Sequence, residues 1–197
     1  QGMDLLLQDQ VRDAFDLGKE STSTREEYGA HEWGQGALLA RRLVESGVTF
    51  TLIQCGLKQD WDTHKDNFKL LDQYLPRIDR AVAALLADLA TRGLLDTTMV
   101  MVIGEFGRTP KINKNAGRDH WGDVFSAMIA GGGLRGGQVV GSSDAIGAYP
   151  AEHAAHAQDL FATMYHRLGI DTDTVFHDHQ DRPIPVLNHG SPIQALL

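Results

Sequence analysis

Apolar residues along this chain fall into runs of two kinds, and the spacing within each predicts the element it forms. Phe68, Leu71, Leu75, Ile78, Val82, Leu85 and Leu89 recur at steps of three and four, the pattern of a helix with one apolar stripe. Pro76 lies inside that pattern without a backbone donor, which predicts a kink or restart near residue 75. Gly93 is placed to end the helix in a left-handed conformation. Leu38, Leu39, Leu43 and Val44 mark an earlier helix stopped at Gly47, and Leu160, Phe161, Met164 and Leu168 a later one stopped at Gly169. Leu5, Leu6, Leu7, Val11 and Phe15 suit one short amphipathic helix, followed by a Ser/Thr run at 21–24 that breaks any longer periodicity.

The second kind of run is continuous. Residues 48–53 and 99–103 are apolar or β-branched throughout, which predicts strands buried on both faces. Residues 124–130 predict a third strand, and 138–140 a short edge strand. The glycine-rich stretch 131–137 between them contains neither a phosphate-loop nor a dinucleotide-binding pattern and reads as a tight turn. Strand, long helix, strand is the order that builds a parallel βαβ unit with a right-handed crossover. The expected fold class is therefore α/β, with a polar, partly helical segment at residues 1–27 and an α/β domain over 28–197.

Composition narrows the function classes. A chain of 197 residues, 42% hydrophobic, is long enough for a well-packed core. Its formal net charge of −8 argues against nucleic-acid binding, which needs clustered Lys and Arg, and against docking on an anionic membrane. No run of 18 apolar residues predicts a membrane span. The single cysteine, Cys55, excludes an internal disulfide and any cysteine-cluster metal site, and reads as small core filler. Gln1-Gly2-Met3 resembles neither a natural start nor a signal peptide, so the chain reads as a piece of something longer.

Two acidic–histidine clusters carry the candidate chemistry: Trp61-Asp62-Thr63-His64 and Arg118-Asp119-His120-Trp121. Asp and neutral His are ligands for divalent cations, and each cluster follows a predicted strand, where open α/β sheets place their ligands. Asp62 and His64, two apart, point the same way in an extended loop and can grip one ion; Asp60 and His64 offer a second spacing. Asp119 and His120 are adjacent and suit a site shared with a second ion or with an outer shell. Glu105, directly off the 99–103 run, is a further ligand or general base, with an ion pair to Arg108 as the plain alternative. Arg108, Lys111 and Arg118 make the 105–120 segment locally basic, which suits a tetrahedral oxyanion. His177-Asp178-His179 lies in a polar, proline-flanked stretch and reads as a surface loop.

The motifs WDTHKDNF, the long helix, GLLDTTMVMVIGEFGRTPKIN, GRDHW and AGGGLRGGQVVGSSD together resemble an uncharacterised, widely exported bacterial family related to alkaline phosphatases and sulfatases, from about Tyr28 to Leu187. The resemblance implies an alkaline-phosphatase-like three-layer α/β/α core with a mainly parallel sheet. It also implies a divalent metal (zinc, manganese or calcium), an exported location, and a small-molecule or glycan phosphate or sulfate ester as substrate. Carried over, the family's WDTH falls on Trp61 to His64, its EFGR on Glu105 to Arg108, and its DH on Asp119 and His120. Asp62, His64, Asp119 and His120 would then hold metal, Glu105 would act as ligand or base and Arg108 as anion clamp. Glu105-Phe106 departs from the Asp-His or Asp-Asn of the better-known phosphatases and sulfatases. The family's Gly-Gly-x-Ser-His segment, where a nucleophile would be expected, has no counterpart here. The expected activity is metal-dependent ester hydrolysis with the nucleophile outside this chain; the rival is a non-catalytic binding or scaffold protein that kept the fold.

Overall fold

The computed structural model describes residues 9–56 and 60–197. The predicted helical positions Leu5, Leu6 and Leu7 lie outside the described residues. The chain divides into two compact units: one takes in the described residues up to Thr98 together with Lys111–Asp119, the other Met99–Pro110 and His120–Leu197.

The first unit is helical. Helices α1 (Asp9–Ala14), α2 (Thr22–Tyr28), α3 (Glu32–Glu45) and α4 (Asn67–Thr91) pack around Trp33, Ala37, Leu38, Ala81, Ala84, Leu85 and Leu89. The Ser/Thr run that looked like a break is the start of α2. The Ser21 hydroxyl accepts the Thr24 N–H at 3.0 Å, satisfying one of the donors a helix leaves open at its N-terminus. The apolar stripe of α4 is as expected, and Gly93 takes its left-handed conformation at φ +68°. The helix runs unbroken through Pro76, however. Pro76 is exposed, so water reaches the carbonyl whose helical bond the proline removes. Only the C-terminal half of the stripe is deeply buried; Phe68 and Leu75 stay about half exposed.

Across these helices lies a buried charge network. Arg41, 1% exposed, sets its guanidinium 2.9 Å from both Glu20 and Asp88 and 2.6 Å from Glu45. The Tyr28 hydroxyl donates to Asp88 at 2.9 Å, and Arg92 reaches Asp88 at 2.7 Å and Glu45 at 2.9 Å. Burial works to raise the Asp88 and Glu20 pKa values, but hydrogen bonds and charges outweigh it, from Arg92, Tyr28 and Arg41 on Asp88 and from Arg42 and Arg41 on Glu20, and both carboxyls sit below their ordinary range. Burial, then the Asp88 carboxylate, pushes the Tyr28 phenol up.

The second unit contains four antiparallel strand pairs and one helix. Strand β1 (Met99–Val102) pairs with β4 (Met128–Gly131), Met99 opposite Gly131 and Val102 opposite Met128. Strand β2 (Gly107–Arg108) pairs with β3 (His120–Trp121), β5 (Ser142–Ser143) with β6 (Pro150–Glu152), and β7 (Val175–His177) with β8 (Pro183–Pro185). Helix α5 (Ala157–Arg167) ends before Gly169 as its periodicity predicts. Gly131, Gly132 and Gly133 are all left-handed, and the Gly132 carbonyl accepts the Arg167 Nε–H at 2.8 Å, so the glycine stretch is a turn tied to α5.

This is not the expected three-layer α/β/α architecture with a mainly parallel sheet: every strand pair among the described residues is antiparallel. Residues 48–53, which would have opened the βαβ unit, form no strand and join no strand pair among the described residues, and Phe50 and Leu52 are 68% and 85% exposed. Residues 99–102 do form a strand, but its partner folds back from downstream. A continuous apolar run specifies burial, not the direction of the neighbour; the partner strand decides that. The predicted edge strand at 138–140 is likewise absent, with Val139 95% exposed, and β5 begins at Ser142.

Candidate metal centre

In the first unit, two loops are stitched together ahead of α4. The Arg118 N–H donates to the Thr63 carbonyl at 3.1 Å. In the other direction, the Asp66 and Asn67 N–H groups donate to the Asn115 and Ala116 carbonyls at 3.1 and 2.9 Å. Backbone carbonyls of the 113–117 loop thus take up donors at the start of α4, where Asp66 offers no side-chain cap. Thr63 and Asn67, both buried, hydrogen-bond to each other through their side chains. Gly117 fits because it has no side chain: a Cβ there would lie 1.9 Å from the His64 carbonyl oxygen.

That stitching brings three of the predicted ligands together, Asp62, His64 and Asp119. The His64 Nδ1 lies 2.7 Å from Asp119 Oδ1 and its Nε2 lies 3.0 Å from Asp62 Oδ1, so the imidazole is flanked by a carboxylate on each nitrogen. Of the two spacings read from sequence, Asp62–His64 is the pair at contact distance. A carboxylate is acceptor-only, so in the closer contact Nδ1–H donates to Asp119 and Nε2 is turned toward Asp62. Ligands about 2.0–2.2 Å from a tetrahedral cation stand roughly 3.3–3.5 Å apart, so the Asp62–His64 separation needs only a small opening to admit one. Both residues belong to a group of side chains whose ligand atoms lie within 4.8 Å of one another. The donor set, one imidazole nitrogen and one carboxylate oxygen, suits zinc or manganese. The fit is good.

Trp61 anchors the same loop. Its ring stacks on buried Trp33 at 5.4 Å and packs against Tyr74 at 5.4 Å, while its indole N–H donates to the Cys55 carbonyl. Burial pushes the Cys55 thiol up, which makes it less of a thiolate and a poor nucleophile.

Glu105, Arg108 and His120 meet in the second unit, at the β2–β3 pair. Arg108 lies opposite His120 in the ladder, donates to Glu105 at 2.9 Å and stacks over Phe106 at 5.1 Å; the His120 ring lies 4.6 Å from Phe106. Burial works to raise the Glu105 pKa, but its own backbone N–H, the Arg108 guanidinium and His120 outweigh it, and the carboxyl sits below its ordinary range. A carboxylate held ionised in this way is a weaker base and suits ion pairing or ligation better. His177 ends β7 opposite Pro183, and Asp178 and His179 open the turn of the β7–β8 hairpin, where Asp178 accepts from the Gln180 and Arg182 N–H groups.

Asn113 was not visible as a site residue. Its amide donates at 3.0 Å to both the His64 carbonyl and Asp119 Oδ1, while its Oδ1 accepts the N–H groups of Asn115 and Gly117. The Asn113-x-Asn115-x-Gly117 spacing is the one available signal, since Asn closes such turns through its own side chain.

The first unit is thus a helical assembly whose Asp62–His64 pair, braced by Asp119, is suited to a divalent cation. Over residues 1–197 the chain matches the model of a family described as a protein of unknown function (DUF1501), and it belongs to that family. No curated protein and no solved structure matches it.

Proposed function

We propose that the protein is a divalent-metal-dependent hydrolase of phosphate or sulfate esters. The observation that carries the reading is the His64 imidazole, oriented by Asp119 through one nitrogen and turned to Asp62 with the other. This is the carboxylate–histidine arrangement that fixes the ring orientation and tautomer of metal-binding histidines. Asp62 and His64 would hold the metal. A metal so held would supply Lewis-acid polarisation of an ester oxygen. Asp119 keeps the His64 ring in position, and Arg108 on β2 offers a planar guanidinium suited to a phosphoryl or sulfuryl group. The motif resemblance to alkaline phosphatases and sulfatases supports the substrate class.

The test is metal content by elemental analysis after exposure to zinc, manganese or calcium, together with turnover of aryl phosphates and aryl sulfates. Full-length native protein is expected to retain metal and turn over such esters, and His64→Ala to lose both. Absence of both metal and hydrolysis in the native protein would overturn the reading. The Glu105–Arg108 ion pair, which engages the candidate base and the candidate anion clamp with each other, favours a second reading: a non-catalytic binding or scaffold protein. Metal retention without turnover of any ester by the full-length protein would establish that one.

A further inference from the structure

We infer that Asn113 is a positioning residue of the Asp62–His64 site, acting through Asp119; this rests on the metal-binding reading above. Its four hydrogen bonds leave no ambiguity about which way the amide points. The Asn115 and Gly117 N–H groups can only donate, so they define Oδ1; the His64 carbonyl and the Asp119 carboxylate can only accept, so they define Nδ2. One side of the amide builds the 113–117 turn, and the other reaches across to the His64 loop. Its second donor ends on Asp119 Oδ1, the same oxygen that faces His64 Nδ1 at 2.7 Å. Asn113 therefore fixes that oxygen in space and ties it to the backbone of the residue it orients. Without the Nδ2 donor, Asp119 Oδ1 loses one of the hydrogen bonds that hold it, and the imidazole's partner is less firmly placed. Residues behind a ligand act on metal affinity in this way, commonly by about 10- to 100-fold.

Asn113→Asp separates the two functions of the side chain. It keeps an oxygen for the Asn115 and Gly117 N–H groups and replaces the Nδ2 donor with an oxygen facing two acceptors. Titration calorimetry of the full chain with Zn²⁺ or Mn²⁺ is expected to show affinity lowered about 10- to 100-fold. The metal-free variant is expected to keep the native circular dichroism. In nitrogen-edited NMR the His64 Nδ1 resonance is expected to move away from its native position, a change that a role in the turn alone does not produce. If Asn113 acts through Asp119, Asn113→Asp in an Asp119→Asn background adds little further loss; fully additive losses in log affinity overturn the inference. Where Asn113→Asp fails to fold, Asn113→Ser carries the same measurements, since its hydroxyl can close the turn but does not span to Asp119. Native protein that binds neither Zn²⁺ nor Mn²⁺ overturns the metal-binding reading itself. Native protein that binds, with Asn113→Asp binding equally well, overturns only the role of Asn113.

Discussion

At the scale of single residues, the site depends on how closely two loops approach each other. Gly117 sits where the 113–119 segment crosses the His64 backbone, and the obstacle to any side chain is main chain, which cannot swing aside as a flexible side chain does. Gly117→Ala is expected to force the loops apart, lowering stability by about 1–3 kcal/mol as overpacked positions do. It should also weaken metal binding through the same displacement of His64. Denaturant melts with and without Zn²⁺ measure both effects; an unchanged midpoint would show that the loops yield without cost. Asp62, His64 and Asp119 were legible as candidate chemistry because their residue types and spacing are uncommon together. The contribution of Asn113 was not, because it lies in hydrogen bonds to a residue 49 positions away.

At the scale of elements, α4 shows what a periodic stripe specifies. Its positions predicted the helix nearly to its ends, yet of the stripe only Leu85 and Leu89 are deeply buried, beside Ala81 and Ala84, where α2 and α3 pack against it. Leu89, 1% exposed, is the anchor. Leu89→Ala is expected to cost about 2–5 kcal/mol, the range for emptying a well-packed leucine site, whereas Leu75→Ala, at a half-exposed position, should cost well under half of that. Urea unfolding of the two variants makes the comparison, and equal losses would contradict the packing described. Residues 48–53 show the converse. Their composition is that of a strand, but a strand is completed by hydrogen bonds to a neighbour, and among the described residues none pairs with them.

At the scale of the whole molecule, charge rather than apolar area sets the pH response. The chain carries a net charge of −8, and its helical unit encloses Arg41 among Glu20, Glu45 and Asp88. The Glu20 and Asp88 carboxyls are depressed in the folded state below reference values of 4.5 and 3.8. The unfolded chain therefore takes up protons first as pH falls. Their stabilisation is fully present above about pH 5 and is lost as pH drops through their folded values. Helical circular dichroism is expected to hold between pH 7 and 5 and to melt at progressively lower temperature below pH 4. Arg41→Met, which removes the buried cation these carboxylates share and leaves Arg42 and Arg92 at the edges, is expected to lower stability by about 1–3 kcal/mol at pH 7. It should also reduce the loss seen on acidification; an acid transition as steep as that of the native protein would show that other groups drive it.

The sequence by itself determined the long helix, the strand at 99–102 and the placing of Asp and His where a cation could be held, because periodicity and residue chemistry are local properties. Tertiary structure alone decided the direction of strand pairing. It also turned Asp119 toward His64 and placed Asn113 behind the site. Each of these depends on which distant backbone arrives alongside, a matter settled by packing and hydrogen-bond satisfaction across the fold.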